Sequence, residues 1–262
     1  MSMLAQAKKM EVREGSFNVI MGEAGSGKTT FSGTYPKPML YVKLADDGGE
    51  KVLEGKDGID VLQLATDNEY FKTKGQKGLR LADKLRNLVL ELLQLDHEYK
   101  TVIIDPFTEL ATDMEQTMIK LKGGRALSFD DRSTIQNIIH PLFKGLQMVS
   151  NKMHVVLPCH VKPFENADTL SEETYTKIMP SFTQSTAKEL CKYADMILYI
   201  SIRGEGGENE LSLKGTSYKR VGIVGANPLL PTKIRLPQGK TADGKILEDL
   251  TFEGLQKFIS AL

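Results

Sequence analysis

The chain has 262 residues, 40% hydrophobic and 26% charged, with 34 basic and 34 acidic side chains, which is ordinary for a soluble globular core and excludes binding of nucleic acid by bulk charge. No apolar stretch approaches the ~18 residues of a membrane span, and the opening residues, Met1 to Glu14, are too polar for a signal peptide. Two cysteines, Cys159 and Cys191, lie outside any CxxC spacing and are too few for a disulfide framework, so they read as buried thiols of a cytoplasmic protein.

In chain order, the apolar run Phe17 to Met21 predicts a first strand. The residues after it, Gly22-Glu23-Ala24-Gly25-Ser26-Gly27-Lys28-Thr29, fill the phosphate-loop template G-x-x-x-x-G-K-[ST] at every fixed position. Thr30 and Phe31 continue into a helix expected over about 28–34. Such a loop turns backbone N–H groups inward as an anion nest, and the helix N-terminus adds its positive dipole end. Gly22, Gly25 and Gly27 permit the backbone angles the nest needs. Lys28 then reaches the β- and γ-phosphates and the Thr29 hydroxyl takes a place on Mg²⁺. Residues 22–30 are therefore the expected nucleoside triphosphate site.

Pro36 and Pro38 interrupt the chain before a strand at 39–44, and a short strand follows at 59–64. Leu81, Leu85, Leu88, Leu92 and Leu95 recur at i, i+3 and i+4, predicting a helix over about 79–95 with a leucine face for the core. The run Thr101-Val102-Ile103-Ile104-Asp105 reads as a strand buried on both faces of a parallel sheet, whose ligands bind beyond the carboxyl ends of its strands. Asp105 alone reads as a helix-capping aspartate. With a phosphate loop upstream it reads as the Walker-B aspartate, holding Mg²⁺ directly or through water.

Further on, helices are expected near 107–121 and 131–150, then a strand at 153–158 ending at Cys159-His160. A polar segment, 162–180, precedes a helix at 183–193 and a strand at 195–202. Residues 210–236 alternate as hairpin strands do, and a last helix covers about 251–261. From Leu211 to Lys240 the basic residues Lys214, Lys219, Arg220, Lys233, Arg235 and Lys240 occur without an acid, and Lys72, Lys74, Lys77 and Arg80 form a second cluster. Solvated surface is one reading of these runs; a phosphate-facing surface is the other. The alternation predicts an α/β domain with a mostly parallel sheet, β-rich at its end, without an internal repeat.

The order of phosphate loop, Asp46-Asp47-Gly48-Gly49 at a strand end, Walker-B strand and a strand ending in Cys159-His160 resembles the RecA-like core. With Tyr35-Pro36-Lys37-Pro38, the segment from Cys191 to Leu198, and Tyr218-Lys219-Arg220, the chain resembles more closely the phage-encoded RecA-like ATPases of nucleotide binding and single-strand annealing. The likeness spans about 17–225. It implies one RecA-like P-loop NTPase domain over 1–262, with a core of about 15–225 and a C-terminal β/helix extension of about 226–262. It further implies ATP and Mg²⁺ as cofactors, a homo-oligomeric ring or filament, and action on single-stranded DNA in recombination or annealing. Phage recombination or replication proteins are the implied partners, no membrane is involved, and the location is the cytoplasm of an infected bacterial host.

The resemblance also assigns roles. Asp47 falls where the family places a water-orienting glutamate; its side chain is one methylene shorter, so slow hydrolysis is expected, with Asp46, Glu50 and Glu109 as substitutes. His160 falls where a polar residue senses the γ-phosphate, although a lone histidine also reads as structural. Lys219 and Arg220 match a basic pair that reaches the neighbouring subunit's nucleotide as an arginine finger does, against a plain exposed pair. The stretch 162–188 corresponds to a DNA-contacting loop. Its Lys162, Lys177, Lys188, Phe164, Tyr175 and Phe182 suit single strands, whereas Glu165, Asp168, Glu172 and Glu173 oppose them. Two other functions stay open: an ATP-gated switch that docks a protein partner on that acidic segment, and a small-molecule kinase.

Overall fold

Side-chain alternation within the strands decides the architecture. The computed structural model describes residues 13–64, 81–167, 174–204, 218–236 and 240–262. Its elements are β1 (Phe17–Met21), α1 (Lys28–Ser32), β2 (Met39–Lys43), a 3₁₀ turn (Gly49–Leu53), β3 (Ile59–Gln63), α2 (Leu81–Gln94), β4 (Thr101–Asp105), α3 (Glu109–Leu121) and α4 (Phe129–Val149). There follow β5 (His154–Cys159), β6 (Val161–Ala167), β7 (Thr174–Pro180), α5 (Gln184–Tyr193), β8 (Met196–Gly204), β9 (Tyr218–Ile223), β10 (Lys233–Ile234), β11 (Ile246–Leu247) and α6 (Phe252–Ala261).

The main sheet runs β11-β9-β8-β1-β5-β4-β2-β3, with β10 also on β8. The six strands from β8 to β3 are parallel to their neighbours, while β9, β10 and β11 join antiparallel. Strands buried on both faces are mostly apolar, and β1, β2 and β4 are buried throughout, with Asn18, Lys43, Thr101 and Asp105 as their buried polar positions. Val102 and Ile104 pack with Phe17, Val19 and Met21 under α2, α3, α4 and α5. Ile103 and Ile20 face the other way, with Phe31 of α1, Tyr41 of β2 and Leu255 of α6. This is a mostly parallel α/β sheet flanked by helices, with strands added late in the chain.

β1 is the topological switch point, since its loop feeds α1 on one face while the later crossovers pack on the other; ligands of open α/β sheets bind at such points. Leu81, Leu85, Leu88 and Leu92 are buried as expected, but Leu95 lies beyond α2 and is 61% exposed. The polar segment 162–180 departs from expectation: β6 and β7 pair as a separate two-stranded sheet. Lys72, Lys74, Lys77, Arg80, Asp168, Glu172, Glu173 and Lys214 lie outside the described residues. Among the described residues no helix is long and apolar enough to cross a membrane.

Candidate nucleotide site

The loop after β1 closes on itself before α1 begins. Glu23 O accepts the Ser26 N–H at 3.2 Å, and Gly27, at φ +99°, turns the chain into the helix whose first residue is Lys28. A side chain at Gly22 would place its Cβ 2.5 Å from Ser26 Oγ and 2.9 Å from the Ile200 carbonyl, so only glycine fits between the loop and β8. Ser26 is correspondingly buried, which leaves its backbone as its contribution to the loop. Glu23 and Ala24 are exposed at the loop's outer turn.

A cavity of about 560 Å³ opens above the loop, lined by Ala24, Gly25, Gly27, Lys28, Thr29 and Thr30. Asp47, Asp105, His160 and Arg220 complete its wall. Residues separated by almost 200 positions thus meet in one site. The Lys28 ammonium donates to the Gly22 and Glu23 carbonyls, each at 2.9 Å. Burial pulls its pKa below the lysine range, opposed chiefly by the Asp105 carboxylate. Thr29 Oγ1 donates to Asp105 Oδ2 at 2.6 Å, and the Tyr41 hydroxyl donates to the same oxygen at 3.0 Å. Burial raises the Asp105 pKa, while the Thr29 and Tyr41 hydrogen bonds hold it down.

Asp47 lies at the cavity edge, where its Oδ1 accepts the Gly49 N–H at 3.0 Å. Of its three substitutes, two are engaged elsewhere. Lys43, at the end of β2, donates to Asp46 at 2.8 Å and Glu50 at 2.7 Å, and these bonds depress both carboxylates' pKa values. Glu109, at the start of α3, is raised by burial and then by the nearby Asp113 and Asp47 charges. His160 follows β5; its backbone N–H donates to Thr108 Oγ1 at 3.3 Å. Burial and then the Lys28 charge lower its pKa, against the Asp47 and Glu23 charges.

Lys219 and Arg220 point apart within this chain. Successive residues of a strand point to opposite faces, and Lys219 Nζ bonds Glu248 Oε2 at 2.8 Å. Arg220 instead reaches this chain's own phosphate loop, with Nη2 donating to Gly25 O at 3.4 Å. The remaining basic run is partly neutralised within the fold, since Arg235 Nη1 meets Asp195 at 3.0 Å. Sequence reasoning missed Tyr41 and Lys43. Their signal was their spacing: Met39, Tyr41 and Lys43 share the strand face that carries α1, and two polar side chains there needed partners.

Residues 17–236 match the AAA domain family, from the first residue of β1 to beyond β10. The chain belongs to this AAA domain family. As an AAA-type P-loop domain it binds nucleotide. No curated protein is matched. Among 73 matching chains of solved structures is the flagellar accessory protein FlaH from Methanocaldococcus jannaschii, at 13% identity and a TM-score of 0.37 over 80% of this AAA domain chain and 78% of its own.

Proposed function

We propose that this AAA domain binds ATP with Mg²⁺, hydrolyses it slowly, and acts as a RecA-like oligomer on single-stranded DNA in recombination or annealing. The observation that carries the nucleotide part is the 2.6 Å bond from Thr29 to Asp105 beside Lys28. It sets a hydroxyl and a buried carboxylate against a loop of backbone donors, which is the donor set that a phosphate-bound hard cation requires. Thr29 and Asp105 would hold Mg²⁺, which supplies charge neutralisation on the phosphate oxygens. Lys28 would draw charge from the transferring phosphate, His160 would contact it from the end of β5, and Asp47 would orient the attacking water. Asp47 already turns one oxygen to Gly49, which supports slow turnover.

The β6–β7 hairpin supports the DNA part. Its register sets Phe164 opposite Lys177, and alternation puts Lys162, Phe164, Tyr175 and Lys177 on one face. Lys162 Nζ stands 5.2 Å from the Phe164 ring centroid. Glu165 falls on the opposite face. Phe164 packs partly against the core, so exposed Tyr175 is the aromatic left for base stacking, with Lys162 and Lys177 for phosphate attraction. Both ends of the hairpin are rooted at His160: β6 begins one residue later, and Ser181 N–H donates to His160 O at 2.8 Å.

Wild-type protein should gain stability with Mg-ATP, by about 2.7 kcal/mol at a hundredfold excess over Kd. Lys28→Ala should lose that shift, and Asp47→Asn should keep it while turning over more slowly, because a water-orienting group acts in the transition state. Equal thermal shifts in wild type and Lys28→Ala rule the nucleotide assignment out. A labelled oligonucleotide titrated at two salt concentrations, with and without ATP, tests the DNA part. Absence of salt-sensitive binding under both conditions leaves the ATP-gated switch for a protein partner as the reading.

A further inference from the structure

We propose that Arg220 completes the nucleotide site in cis, its guanidinium serving the phosphates held by its own chain's loop. The inference rests on the nucleotide reading of the same site and says which chain supplies the second cation. The sheet dictates the placement. β1 ends at Met21, which is in register with Tyr199 of β8. β8 continues to Gly204, past the end of β1 and alongside the phosphate loop. There β9 runs antiparallel to it, with Arg220 opposite Ile202. Ile202 lies three residues beyond Tyr199, so the Arg220 backbone stands about 10 Å past the end of β1, at ~3.3 Å per residue. That is the level of the loop. β11 holds the other edge of β9, pairing Ile246 with Ile223 and Leu247 with Gly222.

The side chain uses this placement. Arg220 Nη2 bonds the Gly25 carbonyl at 3.4 Å. A Cβ at Gly27 would stand 3.1 Å from Arg220 Cδ and 3.4 Å from Nε, so the arginine stem lies directly on the loop's last glycine. Arg220 and Lys28 line one cavity. In hydrolysis a water oxygen bonds the γ-phosphorus and the bond from that phosphorus to the bridging oxygen breaks. ADP leaves with the electron pair and the water's proton passes to solvent. Arg220 stays protonated throughout and stabilises the spreading negative charge with fixed, charge-assisted N–H donors. Turnover per chain is then independent of assembly, and an oligomer serves the DNA rather than the chemistry.

Subunit mixing decides the matter. Arg220→Ala should keep its Mg-ATP thermal shift and lose turnover by about 100-fold, with Arg220→Lys recovering part of it. The lysine variant also carries the test should the alanine variant fold poorly. Mixtures of Arg220→Ala with Lys28→Ala should show no recovery at any ratio, and wild-type turnover per chain should stay flat as protein concentration rises. Recovery in the mixtures, a rate per chain that climbs with concentration, or undiminished turnover in Arg220→Ala overturns the cis assignment while the nucleotide reading stands. A wild-type protein with no Mg-ATP shift removes both.

Discussion

Asp105 carries two hydroxyl donors on one carboxylate oxygen, from Thr29 at 2.6 Å and Tyr41 at 3.0 Å. The second donor fixes the carboxylate's rotation, because Tyr41 is buried and cannot move without disturbing the face it shares with Phe31. Groups that orient a metal-binding carboxylate typically change metal affinity by about 10–100-fold when removed. Tyr41→Phe should therefore raise the Mg²⁺ concentration for half-maximal turnover by about 10-fold, and leave nucleotide binding in EDTA unchanged. Coincident Mg²⁺ titrations of variant and wild type would show that Tyr41 only packs. Lys28, Thr29 and Asp105 were legible in the sequence because their meaning is local: a fixed template, and a strand that ends in a carboxylate. Tyr41 and the direction of Arg220 were not, since each depends on which strands become neighbours, and that order is absent from any short window.

At the scale of elements, the long periodic segments were read well and the short polar ones were not. β1 and β4 match their expected bounds because each is an unbroken apolar run, and α2 matches within about two residues because its leucines repeat at helical spacing. The β6–β7 hairpin escaped because its faces do not sort by polarity: Lys162 and Lys177 share a face with partly buried Phe164 and buried Met179, while Pro163, Glu165 and Thr176 are exposed on the other. The start of α4 carried a signal that was passed over. Ser128 and Asp131 form a reciprocal cap, with Ser128 Oγ accepting the Asp131 N–H at 3.3 Å and Asp131 Oδ2 accepting the Ser128 N–H at 2.8 Å. The helix consequently begins at Phe129, two residues before the expected start. Ser128→Ala should cost about 1 kcal/mol, measured as a lower urea midpoint at unchanged slope; an unaltered midpoint would mean that Lys122, bonded to Asp131 at 2.6 Å, anchors the turn without the cap.

Across the whole molecule, the chain's late segments close over the face of the sheet that its early segments leave open. α6 returns beneath the start of β5, where the His154 ring meets Phe252 at 5.2 Å and Tyr35 at 5.8 Å, both edge-on. Its Nδ1 lies 2.9 Å from Ser16 Oγ. Burial lowers the His154 pKa below its ordinary 6.5, so as pH falls below that value the unfolded chain takes up a proton before the folded one. Stability contributed by neutral His154 is present above pH 6.5 and declines below it. Urea midpoints should thus fall more steeply from pH 7.5 to 5.5 in wild type than in His154→Gln. The difference cannot exceed about 1.4 kcal/mol per pH unit for a single proton, and parallel slopes would show that α6 docks independently of this histidine. The alternation of elements indicated an α/β chain, and the apolar face of α6 (Phe252, Leu255, Phe258 and Ile259, with Leu262 just beyond) indicated that it docks. It did not indicate on which strands, because the partner face is assembled from residues far apart in sequence.

The rooting of the hairpin at His160 has a mechanical consequence. β6 is seven residues long, about 23 Å at ~3.3 Å per residue. The ribbon is held at its root by Thr108 and Ser181 on His160, by the Ile178 N–H on the Leu229 carbonyl at 2.9 Å, and by Val161, Phe164 and Met179 against the core. A shift at His160 therefore reaches it only together with the core on which it is packed.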